Sequence, residues 1–190
     1  MSHHEQSCDE STPMIDPDLV RGPLQQLYAE LDSEVARLGP VCELSGRCCR
    51  FQEYDHTLFV SEAEAAVLIS DAPPPARPLD AGETCPWQDG HGRCGARAAR
   101  PLGCRVYFCD PKFDGQAGPL TERYLARIRR LVDGLGLPWN YARMHTHLHA
   151  AVASGRLRVE RADRGPAEAE PDRPDAVPVW EALDISPSDQ

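Results

Sequence analysis

Lysine is nearly missing from this chain of 190 residues: Lys112 is the only one, and arginine supplies the rest of the 20 basic residues. With the many alanines, this reads as coding bias and points to no function. No stretch approaches the roughly 20 apolar residues that a membrane span needs. The opening MSHHEQSCDESTPMIDPDLV lacks a basic start followed by an apolar run, so no secretory leader is expected. The expectation is a soluble, cytoplasmic protein with one core. A concentrated basic surface is also lacking. The formal charge is −10, which argues against nucleic acid or an anionic membrane as partner. A protein partner is left open. No nucleophile elbow, phosphate loop or dinucleotide fingerprint occurs.

Cysteine is what the chain does have. In a reducing compartment, eight cysteines point to metal ligation or redox chemistry rather than to a disulfide framework. Apart from Cys8 they form two groups: Cys42, Cys48 and Cys49, then Cys85, Cys94, Cys104 and Cys109. Both groups are expected in glycine- or proline-bearing loops, where thiolates can converge at little steric cost. Neither is a zinc ribbon, because no pair of CxxC knuckles exists. Adjacent thiolates at 48 and 49 do not readily take neighbouring corners of one small tetrahedron. The pair is therefore expected to split between two ligand positions of a polynuclear or two-site arrangement, and seven cysteines exceed what one four-ligand ion uses.

Arg97, Arg100 and Arg105 lie in the second group, where they can offset thiolate charge. The alternative for Arg100 is a loop brace. Phe51, Trp87, Tyr107 and Phe108 each adjoin a cysteine and suit either a water-excluding shell or the core. In MHTHLH, His145 and His149 share a helix side while His147 points elsewhere. Ordinary flanking of the apolar stripe is the favoured reading there, and His91 is the better auxiliary ligand by position.

The order Cys42, Cys48-Cys49, Cys85-Pro86, Cys94 and then RPLGCR at 100–105 resembles the YkgJ-type cysteine-cluster family, a zinc- or iron-chelating domain. The resemblance covers roughly residues 40–110. It implies Cys42, Cys48, Cys49, Cys85, Cys94 and Cys104 as ligands, and Arg100 and Arg105 match the family's arginines. The chain departs from the pattern in ARAAR, where many members carry an aromatic residue, and in the added Cys109. The family is similar to flagellin lysine N-methylase, which implies an enzymatic relative.

An iron–sulfur cluster is the favoured occupant, because a cysteine-only set with spare thiols suits one. Zinc binds the same thiolates, and a bare thiol redox switch is the third possibility. The expected function is a metal-binding or redox module. The alternative is an iron–sulfur-dependent oxidoreductase or group-modifying enzyme, and the sequence alone leaves open whether the protein is catalytic.

The rest of the chain is predicted mainly α, with a small α+β fold as the variant. Leu24, Leu27, Leu31, Val35 and Leu38 line one side of a helix, with Pro23 in its first turn and Gly39-Pro40 at its end. HTLFV at 56–60 suits a strand, and SEAE at 61–64 is a capping box opening a short helix. The prolines of 71–83 make a stiff connector. Thr121 is the expected N-cap of a helix carrying Tyr124, Leu125, Ile128, Leu131, Val132 and Leu135. A last helix is expected over NYARMHTHLHAAVAS, with Tyr141, Met144, Leu148 and Val152 on its apolar side. The domains are thus a flexible 1–16, a cysteine-cluster domain over 17–158 and a disordered acidic, proline-rich tail over 159–190. Within that tail VWEALDI is either a short docking segment or, the favoured reading, a few scattered apolar residues.

Overall fold

The computed structural model describes residues 14–159; the expected N-terminal segment up to residue 13 and the tail from residue 160, VWEALDI included, lie outside them. The described fold is mainly α with one small sheet. Helix α1 (Pro17–Leu38) opens at Asp16, whose side chain accepts the Asp18 N–H, and closes at Gly39. Gly39 takes φ 67° and gives its N–H to the Val35 carbonyl. Val20, Leu24, Tyr28, Leu31 and Val35 form the buried side. The expected entry at Pro23 is corrected. Pro17 occupies the first helical position, where the missing N–H costs nothing, so Pro23 falls in the helix interior.

Strand β1 (Phe59–Ser61) leads directly into α2 (Glu62–Asp71) through the capping box. The Glu64 N–H donates to Ser61 Oγ, and the Ser61 N–H donates back to Glu64 Oε2 at 2.9 Å. The first seven residues of α2 are all buried, because it separates two clusters of apolar side chains. Ala63, Ala66 and Val67 join α1, the short helix α3 (Leu102–Val106) and helix α4 (Asp114–Gly134) in the first cluster. Ala65 and Leu68 join helix α5 (Met144–Ala153) and the cysteine-bearing loops in the second. The small alanines let neighbouring elements approach on both sides. One core was expected, and two are found.

Helix α4 starts seven residues before the expected Thr121 cap. Thr121 instead donates its hydroxyl to the Ala117 carbonyl within the helix (2.8 Å). Strand β2 (Tyr141–Arg143) pairs antiparallel with β1, Phe59 opposite Arg143 and Ser61 opposite Tyr141. This shortens the last expected helix at its start, so Tyr141 leaves the apolar side of α5. Val152 is exposed, while Met144, Leu148 and Ala151 carry the packing. Between α2 and α3 the chain is irregular, as its prolines require. Trp87 pins the connector by donating its indole N–H to the Pro73 carbonyl (2.7 Å).

Candidate metal centre

The first cysteine turn depends on one glycine. Gly46 stands at φ 72° ahead of a single 3₁₀ turn, Arg47–Cys49. A Cβ there would overlap the Gly92 carbonyl oxygen and come within 2.7 Å of Gln88 Nε2. Only glycine fits both the left-handed backbone and the close approach. Opposite it, residues 87–95 form a tight hairpin. Gly95 N–H donates to Trp87 O and Asp89 N–H to Arg93 O, and Gln88 bridges to Cys94. Asp89 Oδ1 accepts the N–H groups of His91 and Arg93 at the turn. The buried amide of Gln88 then joins the two loops, donating to the carbonyls of Gly46 (3.0 Å) and Gly92 (3.2 Å). Nothing in the sequence marks Gln88 for this role. A third tie is the Cys85 N–H to the Cys49 carbonyl, 2.7 Å.

These ties gather five cysteines from three segments. Cys49 is the hub: its thiol interacts with those of Cys48, Cys85 and Cys94, and lies 3.9 Å from Cys48 Sγ. Cys104 lies near Cys85, Cys48 and Cys94. All seven described cysteines are free thiols. The loop expectation holds only in part, because Cys104 lies on α3, and Cys48 and Cys49 on the 3₁₀ turn. Regular turns suffice here, since the adjacent sulfurs of Cys48 and Cys49 face one another.

The thiols differ in acidity. Hydrogen bonding from Cys49 lowers Cys48 to about 7, with Arg100 acting in the same direction. The same donor lowers Cys94 to about 6, helped by the Ala96 N–H, Arg100 and Arg97. Cys49, as shared donor, is pushed up. Burial, with the neighbouring thiolates, pushes Cys104 well up. The centre thus combines two acidified thiols with two whose acidity is suppressed, an arrangement able to exchange protons for a cation.

Cys42 and Cys109 stand apart from these five. Both line a cavity of about 410 Å³ that also reaches Cys48, Cys49 and Cys94. Ser45 Oγ lies 3.3 Å from Cys109 Sγ. The Val41 N–H donates to the Asp110 carboxylate (3.2 Å), so the ends of the two cysteine segments are strapped together. A second cavity, about 580 Å³, shares Cys48, adds Cys104 and is walled by aromatic side chains including Tyr107, Phe108 and Tyr141.

The arginines separate by direction. Arg100 lines the cavity with Cys48, Cys49 and Cys94, and its charge favours the thiolates of Cys48 and Cys94. Arg105 braces the fold. Its guanidinium, on a residue only 9% exposed, donates to Asp32 Oδ2 (2.6 Å) and to the carbonyls of Arg100 (2.7 Å) and Ala98 (3.0 Å). It also lies 4.2 Å from the Tyr28 ring centre. From α3 it points to α1, which cysteine spacing does not reveal.

The histidines of α5 are engaged by backbone. Nε2 of His145, His147 and His149 lies 3.2 Å from the carbonyls of Thr84, Val60 and Asp80 respectively. His91 is exposed on the hairpin turn and does not line the thiol cavity. Phe51 and Trp87 pack with Cys49 and Cys85 in the second core, whereas Phe108 packs against the first. Sequence reasoning missed His56, which stacks on Tyr107 with ring centres 5.1 Å apart. Its buried Nδ1 has no hydrogen-bond partner among the described residues.

Among the described residues, no three His, Cys, Asp or Glu side chains already converge at the spacing of a bound ion. Compared with protein-family models, with curated proteins and with solved structures, the chain finds no match in any of the three.

Proposed function

We propose that this protein is a metal-binding module that holds an iron–sulfur cluster, or zinc or iron ions, through clustered cysteine thiolates. Cys48, Cys49, Cys85, Cys94 and Cys104 form the inner set, with Cys42 and Cys109 at the rim of the cavity. The reading rests on the free thiols gathered in one part of the fold: Cys49 and Cys85 are buried in one cluster with Cys48 and Cys94 packed against it, and the Cys48 and Cys49 sulfurs lie 3.9 Å apart. Thiols acidified at a buried edge are suited to a cation. An iron–sulfur cluster is favoured because the donors are sulfur only and outnumber the four that one ion takes. The cavity between the inner and rim cysteines also offers more room than a single ion needs.

Zinc has its own support. Bonds of about 2.3 Å to four sulfurs make a tetrahedron with edges of about 3.8 Å, close to the 3.9 Å between Cys48 and Cys49. Adjacent cysteines can therefore share one ion, against the expectation from their adjacency. In either form the residues supply the same services: Cys49 yields its proton, Arg100 offsets thiolate charge, and Phe51 and Trp87 exclude water. Such a group, once bound, supplies electron transfer if it is a cluster and Lewis acidity if it is zinc. The alternative, an iron–sulfur-dependent oxidoreductase or group-modifying enzyme, is supported by the open cavities that reach Cys48.

The deciding experiment is iron, zinc and acid-labile sulfide analysis, with a visible spectrum, on protein purified without oxygen. Iron and sulfide in comparable amounts establish the cluster, and colourless protein with stoichiometric zinc establishes the second reading. Protein free of both metals refutes the proposal.

A further inference from the structure

Acids outnumber bases in this chain by 30 to 20, and six arginines form ion pairs among the described residues. Arg93, Arg97 and Arg100 take part in none of these pairs. Of their guanidinium hydrogen bonds among the described residues, the one found is Arg100 Nε to the Arg97 carbonyl (3.2 Å). Yet all three line the same 410 Å³ cavity, and no aspartate or glutamate lines it with them. Three fixed positive charges around one concave space, in a chain of net charge −10, mark a local reversal of sign.

The thiolates account for part of this charge. Arg97 and Arg100 act on Cys94, and Arg100 on Cys48. Arg93 is not among the main influences on either thiol. A doubly charged ion on four thiolates leaves about two negative charges, so three guanidiniums exceed the need by about one. The cavity lies within the size range of small-molecule sites. Its rim carries Leu44, exposed and held at φ 54°, a strained backbone for a residue other than glycine. An apolar rim beside guanidinium forks suits a molecule with a carbon body and an oxyanion end.

We propose that this cavity binds a small metabolite through its phosphate or carboxylate group, held by Arg93, Arg97 and Arg100 beside the cysteine centre. The proposal rests on the metal reading only for what the anion lies against. The test titrates the as-purified full-length protein with inorganic pyrophosphate and, separately, with citrate, at constant ionic strength, by isothermal calorimetry. One arm probes phosphate and the other carboxylate. Saturable 1:1 binding is expected for at least one of them, weakened about tenfold or more in R93Q, with metal content unchanged, and weakened further in R93Q/R97Q. Arg93 and Arg97 are exposed, so both variants are expected to fold. The absence of saturable binding to both anions overturns the proposal, as does equal affinity in the variants. Loss of metal from R93Q also overturns it, since that arginine would then serve the thiolates. Anion binding by protein that carries no metal refutes the metal reading and leaves this one standing.

Discussion

Arg105 joins three parts of the molecule with one planar group: Asp32 of α1, the carbonyls of Ala98 and Arg100, and the face of Tyr28. Arg105→Ala is expected to lower unfolding free energy by about 2–4 kcal/mol in a denaturant titration, as removal of one partner from a buried charged network does. Arg105→Lys is expected to recover little, because an ammonium cannot reproduce the fork. His147 gives a pH-dependent contribution. It is 4% exposed, and burial lowers its pKa despite the Val60 carbonyl and the nearby carboxylates of Glu62 and Glu64. The folded state thus binds its proton less readily than the unfolded chain, whose histidine titrates near ~6.5. Its contribution is whole above that value and is lost as pH falls toward and through the folded value. Stability curves from pH 7 to 5 are expected to fall more steeply for the wild type than for His147→Gln.

At the scale of elements, α1 carries two residues that disfavour a helix interior, Gly22 and Pro23, and a Cβ added at Gly22 meets open space. Replacing both by alanine restores an N–H for the Leu19 carbonyl and removes glycine's entropic cost. A gain of about 1–3 kcal/mol is expected in thermal or chemical unfolding. Gly46→Ala is the opposite case. The overlap with Gly92 and the left-handed backbone are expected to cost about 2 kcal/mol or more and to reduce bound metal, because the turn holding Cys48 and Cys49 must shift. What could be read in the chain followed from such local rules. The Ser61–Glu64 box is written in four residues, and the two cysteine groups stand out by type and number, members of both meeting in one buried cluster. Other elements depend on distant partners. Tyr141–Arg143 becomes a strand only because β1 lies opposite, and α3, five residues holding a glycine and a cysteine, has no period to detect. The start of α4 was hidden because Gly115, Gly118 and Pro119 lie in its first turns. Arg105 matched the same motif as Arg100, but its place on α3 gave it Asp32 of α1 as a partner, which spacing does not reveal.

For the whole molecule, the two apolar clusters divide the labour. Leu24 belongs to the first and Leu148 to the second, both fully buried. Each, changed to alanine, is expected to cost about 2–5 kcal/mol by calorimetry or denaturant unfolding. Only Leu148→Ala is expected to lower metal content as well, because its cluster includes Cys49 and Cys85. Equal metal loss in both variants would show that the site depends on global stability alone.

The carboxylate of Glu64 lies between these halves and accepts from four donors: Ser61 N–H and Oγ, the Tyr28 hydroxyl and the Leu102 N–H. Those donors enter the chain in a fixed order during synthesis, at residues 28, 61 and finally 102. Until residue 102 leaves the ribosome, α2 must either keep this acid in water or bury it short of one donor. Nascent chains ending before α3 are therefore expected to stay open and protease-sensitive. The second cysteine segment is nearly complete by the time the helix that both cores share can close.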